Sequence, residues 1–212
     1  IGEAVCRELL ARPGIDLVGV LEITEDGLRT VALRASGFPT SEIGEPDPAA
    51  AMDLRLRAHG GPWLEPIPGG AIGSVIGTPA ERVRPGAVAC VPLRSQGEPV
   101  ALLVAGSSGP DAMAFLARRL SAIEAFGAVA GALLGPALAD RHRDAARRRT
   151  IEAVVAERAF RPVFQPVVEL ETGQIVGYEA LTRFADGTPP DRRFADAAAA
   201  GLGHALELAT LE

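Results

Sequence analysis

The chain has 212 residues, of which 48% are hydrophobic and 23% charged, and its formal net charge is −6. This composition is typical of a soluble globular protein with enough apolar material for one large domain or two small ones. The acidic balance argues against binding to bulk nucleic acid or to an anionic membrane, and the sequence contains neither Lys nor Asn, so all 21 basic residues are Arg.

The first part of the chain predicts alternating helices and strands. Residues 2–12 have apolar positions at helical spacing, and Pro13 and Gly14 follow them as a stop signal. Turn signals at Glu25-Asp26-Gly27 and at Ser95-Gln96-Gly97-Glu98 each separate two strand-like runs. The predicted elements after the first helix are two strands, a short helix, a short strand and two further strands, at 15–23, 29–36, 49–58, near Trp63, 86–95 and 99–107.

A long helical tract is predicted from residue 111 to about residue 158, since its apolar residues recur at three- and four-residue steps. We expect Gly135-Pro136 to break or kink it. Its apolar part, 122–138, is interrupted by glycines and Glu124 and is shorter than the ~20 apolar residues of a membrane span. With no visible signal peptide, we expect a cytoplasmic protein, and because the chain starts without Met and stops within a pattern, we expect a longer parent.

These elements predict an α+β fold class with three segments: a unit of antiparallel sheet and flanking helices at 1–139, a helical connector at 140–158, and a third unit at 159–212. The connector is rich in Arg but lacks aromatic residues, and acidic residues lie within helical reach, so a solvated face, or a face paired with a second copy, is favoured over nucleic-acid binding. Cys6 and Cys90 have no metal-binding or disulfide spacing and are expected to be free thiols.

The order of elements in 1–139 resembles that of GAF sensor domains, and the run GAVACVPLRSQGEPVALLVAGS (86–107) is similar to the paired late strands of that family. The resemblance implies a PAS-like sheet, dimerisation through the terminal helices, and in many members a small ligand over one face of the sheet. No motif identifies such a ligand. Haem ligation by His59 and redox chemistry at Cys90 are alternatives to a surface His and a buried apolar thiol, and a ligand-free domain used for dimerisation is a further alternative.

Residues 163–170 and 174–184 are strand-like runs separated by three residues, so they must be antiparallel. In the second run, Glu179, Leu181 and Arg183 share one face, and the two charges lie ~13 Å apart along a regular strand, too far for an ion pair. The neighbouring residues are apolar and are expected to be buried, so each charge needs a partner other than the opposite charge of the pair. A carboxylate suits a metal ion, and a guanidinium suits a phosphate.

The run FQPVVELETGQIVGYEALTRF, followed by DGTPP and AAAAGLGHALELATLE, resembles the beginning of an EAL domain, the cyclic di-GMP phosphodiesterase family. The family fold is a TIM-like barrel whose first strand runs antiparallel. The resemblance implies that Glu179 is a catalytic ligand of Mg²⁺ or Mn²⁺, that Arg183 contacts a substrate phosphate, and that Gln165 and Leu181 line the nucleotide site. In complete members, two metal ions activate a water that opens cyclic di-GMP to linear pGpG.

That chemistry also requires further carboxylates, an Asn and a Lys, whereas this sequence has no Asn or Lys and covers about 50 residues of a barrel of ~250. We therefore expect the 212-residue chain to be inactive. The parent is either a phosphodiesterase controlled by its GAF domain through the helices at 112–158, or a non-catalytic cyclic di-GMP receptor or dimerising scaffold with a degenerate EAL domain. A third reading takes the barrel residues as a tail, whose apolar strands pack on a partner or pair across a dimer. A homodimer through the GAF and connector helices is expected.

Overall fold

The computed structural model of the chain describes residues 1–37, 48–67 and 85–211. It divides into two compact units, Ile1–Asp140 and Arg141–Glu212, called here the N-terminal and C-terminal units. The elements in chain order are α1 (Gly2–Leu10), β1 (Leu17–Thr24), β2 (Gly27–Ala35), α2 (Pro48–Arg57), β3 (Trp63–Pro66), β4 (Ala87–Ser95), β5 (Glu98–Ser107), α3 (Ala112–Ala156), β6 (Phe160–Val168), β7 (Ile175–Phe184), α4 (Pro190–Ala199) and α5 (Gly203–Leu211).

The N-terminal unit is built on a five-stranded sheet with strand order β2-β1-β5-β4-β3, and every neighbouring pair is antiparallel. The β4–β5 connection is a two-residue turn in which Gln96 has φ 53° and Gly97 has φ 92°. Two positive φ angles match the right-handed twist of the strands, which is why a glycine is needed there. The α+β class and the antiparallel sheet predicted from the sequence are confirmed.

Both faces of this sheet are covered. Leu9 of α1 and Leu116 and Leu134 of α3 pack on one face, together with Val20 and Leu103 of the sheet. The opposite face is covered by Ala51 and Leu54 of α2 and by Ala58, which directly follows the helix. Consequently β5 is buried at every position after its first residue.

Helix α3 continues through Pro136, so of the break or kink expected at Gly135-Pro136 the break is wrong, and the kink stays a prediction. A proline removes one helical hydrogen bond, but the residues on either side of it, Leu134 and Leu138, are both buried in the core of the N-terminal unit. Packing on both sides therefore holds the helix together across the lost bond.

An 18-residue window of α3 reaches a mean hydropathy of 1.6, so the helix is long and apolar enough to cross a membrane by length and composition alone. By length and composition, our expectation that the apolar stretch is too short to span a membrane is therefore wrong. One such helix is weak evidence for a membrane, because a helix that covers a soluble core passes the same test. Helix α3 covers such a core, because its residues Leu116, Ile123 and Leu134 are buried against the sheet of the N-terminal unit.

The C-terminal unit contains the hairpin β6–β7, whose strands are antiparallel as the short connection required. Only one end of the hairpin is packed, where Phe184 contacts Phe160 and Phe194 edge to face at centroid distances of 6.4 and 5.9 Å. This cluster also contains Ile151 of α3 and Leu206 of α5. The rest of the hairpin is exposed apart from a few half-buried residues such as Val163 and Leu181, and Glu179 and Arg183 are both exposed. The expectation that these two charges are buried is therefore wrong for this chain.

Candidate functional site

The β6–β7 register brings all four predicted site residues onto one face of the hairpin. Gln165 lies directly opposite Glu179, and Val163 lies opposite Leu181. Arg161 lies opposite Arg183. Side chains of directly opposed residues share a face and have Cβ atoms ~5 Å apart. The result is a strip that carries a carboxamide and carboxylate at one end and two guanidinium groups at the other.

Within the described part of the chain, the strip is open to solvent and its charges do not neutralise one another. Glu179 and Arg183 are exposed and form no ion pair with each other, as their separation along the strand required. Arg183 donates through Nη1 to the carbonyl oxygen of Thr182 at 3.0 Å. Glu179 and Gln165 are thus available to a ligand, and Arg183 has further donors.

The turn after β7 is organised by an acidic residue that the sequence did not single out as functional. The Asp186 carboxylate accepts from the Thr188 backbone N–H at 3.0 Å and from Arg193 of α4. Arg193 also donates to Thr188 Oγ1 at 2.8 Å, is 5% exposed and lies 5.6 Å from the Phe184 ring centroid. The hydrogen bond from the Thr188 backbone N–H is the largest cause that lowers the pKa of Asp186. Desolvation opposes it, and side-chain hydrogen bonds from Thr188 and Arg193 and the charge of Arg193 lower the pKa further.

This turn fixes the carboxyl end of β7 against α4. Pairing and hydrogen bonds let a guanidinium be buried there, because an unpaired one costs several kcal/mol. One polar atom, Arg193 Nε, is buried without a hydrogen-bond partner. The Asp-Gly dipeptide at 186–187 is a turn signal, so the turn can be predicted from the sequence. The contact with Arg193 cannot, because it depends on how α4 packs.

In the N-terminal unit, the sheet face under α2 carries Cys90, with Val88 of β4 and Leu102 and Val104 of β5. Burial raises the pKa of the Cys90 thiol to about 12, and Cys6 likewise has a pKa of about 12. Thiols that titrate so high hold almost no thiolate at neutral pH, and the thiolate is the reactive form. Both cysteines are therefore apolar core residues here, which disfavours redox chemistry at Cys90.

Three arginines hold α2 over this face. Arg94 of β4 donates to the carbonyl oxygens of Ala58, His59 and Gly60 beyond the end of α2, at 3.3, 3.2 and 2.5 Å. Arg57 pairs with Glu65 at 2.8 Å and lies over the Trp63 ring at 4.6 Å. Arg55 donates to the Glu25 carbonyl oxygen. The side chain of His59 is exposed, as expected for a surface histidine.

A cleft of about 490 Å³ lies at the amino end of α3, between the β5–α3 loop and the loop before β1. Two carboxylates line it, Asp16 and Asp111. Asp16 already accepts from the Ser108 backbone N–H at 2.7 Å and from Ser108 Oγ at 2.5 Å, and these bonds tie the two loops together. Among the described residues, no group of three His, Cys, Asp or Glu side chains is placed to hold a metal ion.

No family model matches the sequence, and no curated protein matches it. Several solved structures are similar. The type II free methionine-R-sulfoxide reductase of Thermoplasma acidophilum is 18% identical, with 64% of this chain and 89% of that one covered and a TM-score of 0.43. The GAF domain of the cyanobacteriochrome TePixJ is 19% identical, with 65% and 88% covered and a TM-score of 0.44. The Stigmatella aurantiaca phytochrome photosensory core module is 16% identical, with 74% and 37% covered and a TM-score of 0.44.

Proposed function

We propose that the chain is part of a bacterial cytoplasmic signalling protein in which a GAF-type sensor, residues 1–139, regulates an EAL-type cyclic di-GMP phosphodiesterase that begins near residue 159. The single observation that carries the second half is the strip on the hairpin. The four residues that the EAL resemblance implicates, Gln165, Glu179, Leu181 and Arg183, share one face of two paired strands.

The strip suits a cyclic dinucleotide in charge and spacing. Glu179 offers carboxylate oxygens to a hard divalent cation, and Arg183 offers a planar set of donors to a phosphate. Their ~13 Å separation lets one strand contact both a metal-bound phosphodiester and a more distant part of the ligand. Gln165, opposite Glu179, adds a neutral donor and acceptor at the metal end.

The described residues do not complete a metal site, so no hydrolytic step is assigned to them. Mg²⁺ needs six oxygen ligands and keeps several waters, usually with more than one carboxylate or phosphate in its shell. Glu179 is one carboxylate, and no group of three candidate ligands exists in the part of the chain that is described. The proposal therefore makes this 212-residue chain inactive and assigns the phosphodiesterase activity to a longer parent.

The sensor half of the proposal rests on the order of elements and on the paired strands β4 and β5. The five-stranded antiparallel sheet has α1 and α3 on one face and α2 on the other. That arrangement fits a GAF domain, and the sheet face beneath α2 is the one that we compare with the ligand-binding face of such domains. The proposal includes a homodimer formed through α3, whose exposed Val129 and Leu133 are available to a second copy.

The test is a hydrolysis assay on a polypeptide extended past Glu212 along its own gene, with cyclic di-GMP and Mg²⁺ or Mn²⁺. We expect pGpG to form, Glu179→Gln to reduce turnover at least ~100-fold as for loss of a metal ligand, and Arg183→Ala to raise KM. Glu171→Gln, an exposed turn carboxylate, is the matched control and should have no effect.

A different outcome is that the extended polypeptide lacks the further carboxylates, Asn and Lys and binds cyclic di-GMP without hydrolysing it. That result would indicate the receptor or scaffold function instead. Hydrolysis by the 212-residue chain itself would contradict the proposal. Native mass spectrometry of the purified chain, which detects a retained small molecule and the dimer together, tests the sensor half separately.

A further inference from the structure

The strip on the hairpin contains one charged residue that the proposed function does not use, Arg161 of β6, which lies directly opposite Arg183. The Ala185 N–H donates to the Ala159 carbonyl oxygen at 2.9 Å. Hydrogen-bonded and non-hydrogen-bonded pairs alternate along an antiparallel ladder, so Arg161 and Arg183 form the next hydrogen-bonded pair. Their Cβ atoms are therefore ~5.5 Å apart, and their side chains leave the same face of the hairpin.

This register places two positive charges side by side. Like charges directly opposite each other destabilise a strand pair, and a guanidinium does not lose its proton in proteins. The carboxylate of the strip, Glu179, is ~13 Å from Arg183 along the strand. The pair that separates the two ends of the strip, Val163 and Leu181, is apolar. An anion bound between Arg161 and Arg183 would remove the repulsion that Glu179 is too far away to relieve.

A phosphodiester suits this pair of arginines in charge and in shape. Its two non-bridging oxygens share one negative charge, and an oxyanion of this kind accepts parallel hydrogen bonds from a planar guanidinium. An extended arginine side chain is longer than the ~5.5 Å between the two Cβ atoms, so both groups can reach the same phosphate. Held from two strands, the phosphate has a fixed position and orientation over the face of the hairpin.

We propose that Arg161 is a second phosphate-binding residue of this site, and that Arg161 and Arg183 clamp one phosphodiester of the cyclic dinucleotide between them. The inference rests on the proposed function, in which Arg183 contacts a substrate phosphate, and adds to it a residue and a geometry. The clamped phosphodiester is the one farther from the metal, because Glu179 and Gln165 lie at the opposite end of the strip. The clamp binds and orients the ligand and takes no part in breaking a bond.

The test measures the Kd of cyclic di-GMP by isothermal titration calorimetry, on the polypeptide extended past Glu212 along its own gene. A chelator keeps divalent metal away, so that the ligand is not consumed. Arg161→Gln should weaken binding at least ~tenfold, since charge-assisted hydrogen bonds are lost. Arg161→Lys, which keeps the charge without the planar fork, should weaken it less. Arg192→Gln makes the same change at an exposed arginine of α4 and, as the matched control, should leave the Kd unchanged.

The double variant Arg161→Gln/Arg183→Gln tests whether the two arginines hold the same phosphate. Side chains that contact one group are coupled, so the loss of affinity in the double variant should differ by more than ~twofold from the product of the two single losses. A loss equal to that product overturns the shared clamp.

The stability of the ligand-free protein separates a clamp from an arginine with a purely structural role. Removal of one of two like charges relieves repulsion, so Arg161→Gln should keep or raise the thermal unfolding midpoint while it weakens binding. A lowered midpoint with an unchanged Kd would show that Arg161 pairs with a carboxylate elsewhere in the extended chain, and would overturn the proposal.

The clamp and the proposed function fail in different ways. If the extended polypeptide hydrolyses cyclic di-GMP and Arg161→Gln changes neither its KM nor its Kd, the clamp is overturned and the phosphodiesterase function stands. If the polypeptide binds cyclic di-GMP through both arginines without hydrolysing it, the clamp is supported and the phosphodiesterase function is contradicted. If it neither binds nor hydrolyses cyclic di-GMP, both are overturned.

Discussion

The five-stranded sheet and the two-stranded hairpin are built from similarly apolar strands but differ in what covers them. Each face of the five-stranded sheet has a helical cover, and Leu102 and Leu103 of β5 are 0% exposed on opposite faces. The hairpin has a packed cluster at one end, and beyond it Phe164 and Val176 are each 65% exposed. A strand's composition thus states what it is able to bury, whereas the neighbouring elements decide whether burial occurs.

The largest expected effect separates a covered leucine from an uncovered one. Leu103→Ala removes a 0% exposed side chain from the sheet core and should lower the free energy of unfolding of the N-terminal unit by about 2–5 kcal/mol. Leu170→Ala makes the same chemical change in the C-terminal unit at a side chain that is 95% exposed, and should change the free energy of unfolding of that unit by less than ~0.5 kcal/mol. Urea unfolding of the two variants measures the contrast, and equal losses would show that a partner covers Leu170 in solution.

A smaller effect is expected from the close approach of α3 to the sheet. A Cβ on Gly127 would lie 2.7 Å from Val91 Cγ1 of β4, closer than side chains normally approach. We expect Gly127→Leu to destabilise the N-terminal unit by about 1–3 kcal/mol through overpacking. Ala128→Leu on the exposed side of the same helix is the control, and similar thermal unfolding of both variants would place α3 farther from β4.

The smallest effect concerns the turn that anchors the hairpin. Because hydrogen bonds from Thr188 and Arg193 lower the pKa of Asp186 below its ordinary value of 3.8, its ionised form stabilises the folded turn. That contribution is fully present above pH ~4 and is lost as pH falls through the lowered, folded-state pKa. The protection factors of the Gly187 and Thr188 amides, which are corrected for the intrinsic pH dependence of exchange, should fall in that acidic window. In Asp186→Asn they should be lower at neutral pH and independent of this titration, and an unchanged wild-type profile of protection against pH would contradict the assignment.

The sequence was sufficient wherever local signals decide the structure. Hydrophobic runs and turn residues located β1, β2, β4 and β5 to within two residues at each end, and the three-residue separation gave the antiparallel hairpin. The pairing of Gln165 with Glu179 follows from that register. That the residues of the strip share one face could therefore also be predicted from the sequence. Whether the strip binds a metal and a nucleotide stays a prediction.

Features that depend on distant residues were beyond the sequence. Arg94 reaches carbonyls 34 to 36 residues earlier in the chain, and no local pattern encodes that distance. Arg193 is buried because α4 packs on the end of β7, whereas helical periodicity predicts only an exposed arginine. The break expected at Pro136 was wrong for a related reason, since tertiary packing outweighed the local helix-breaking preference.

The two prolines of β6 have a consequence for how far assembly can proceed. Proline has no N–H to offer a further strand, so Pro162 and Pro166 make the β6 edge of the hairpin a poor template for strand addition. Exposed strand edges are sites of aggregation in many proteins, and the two prolines therefore act against association of the hairpin through β6.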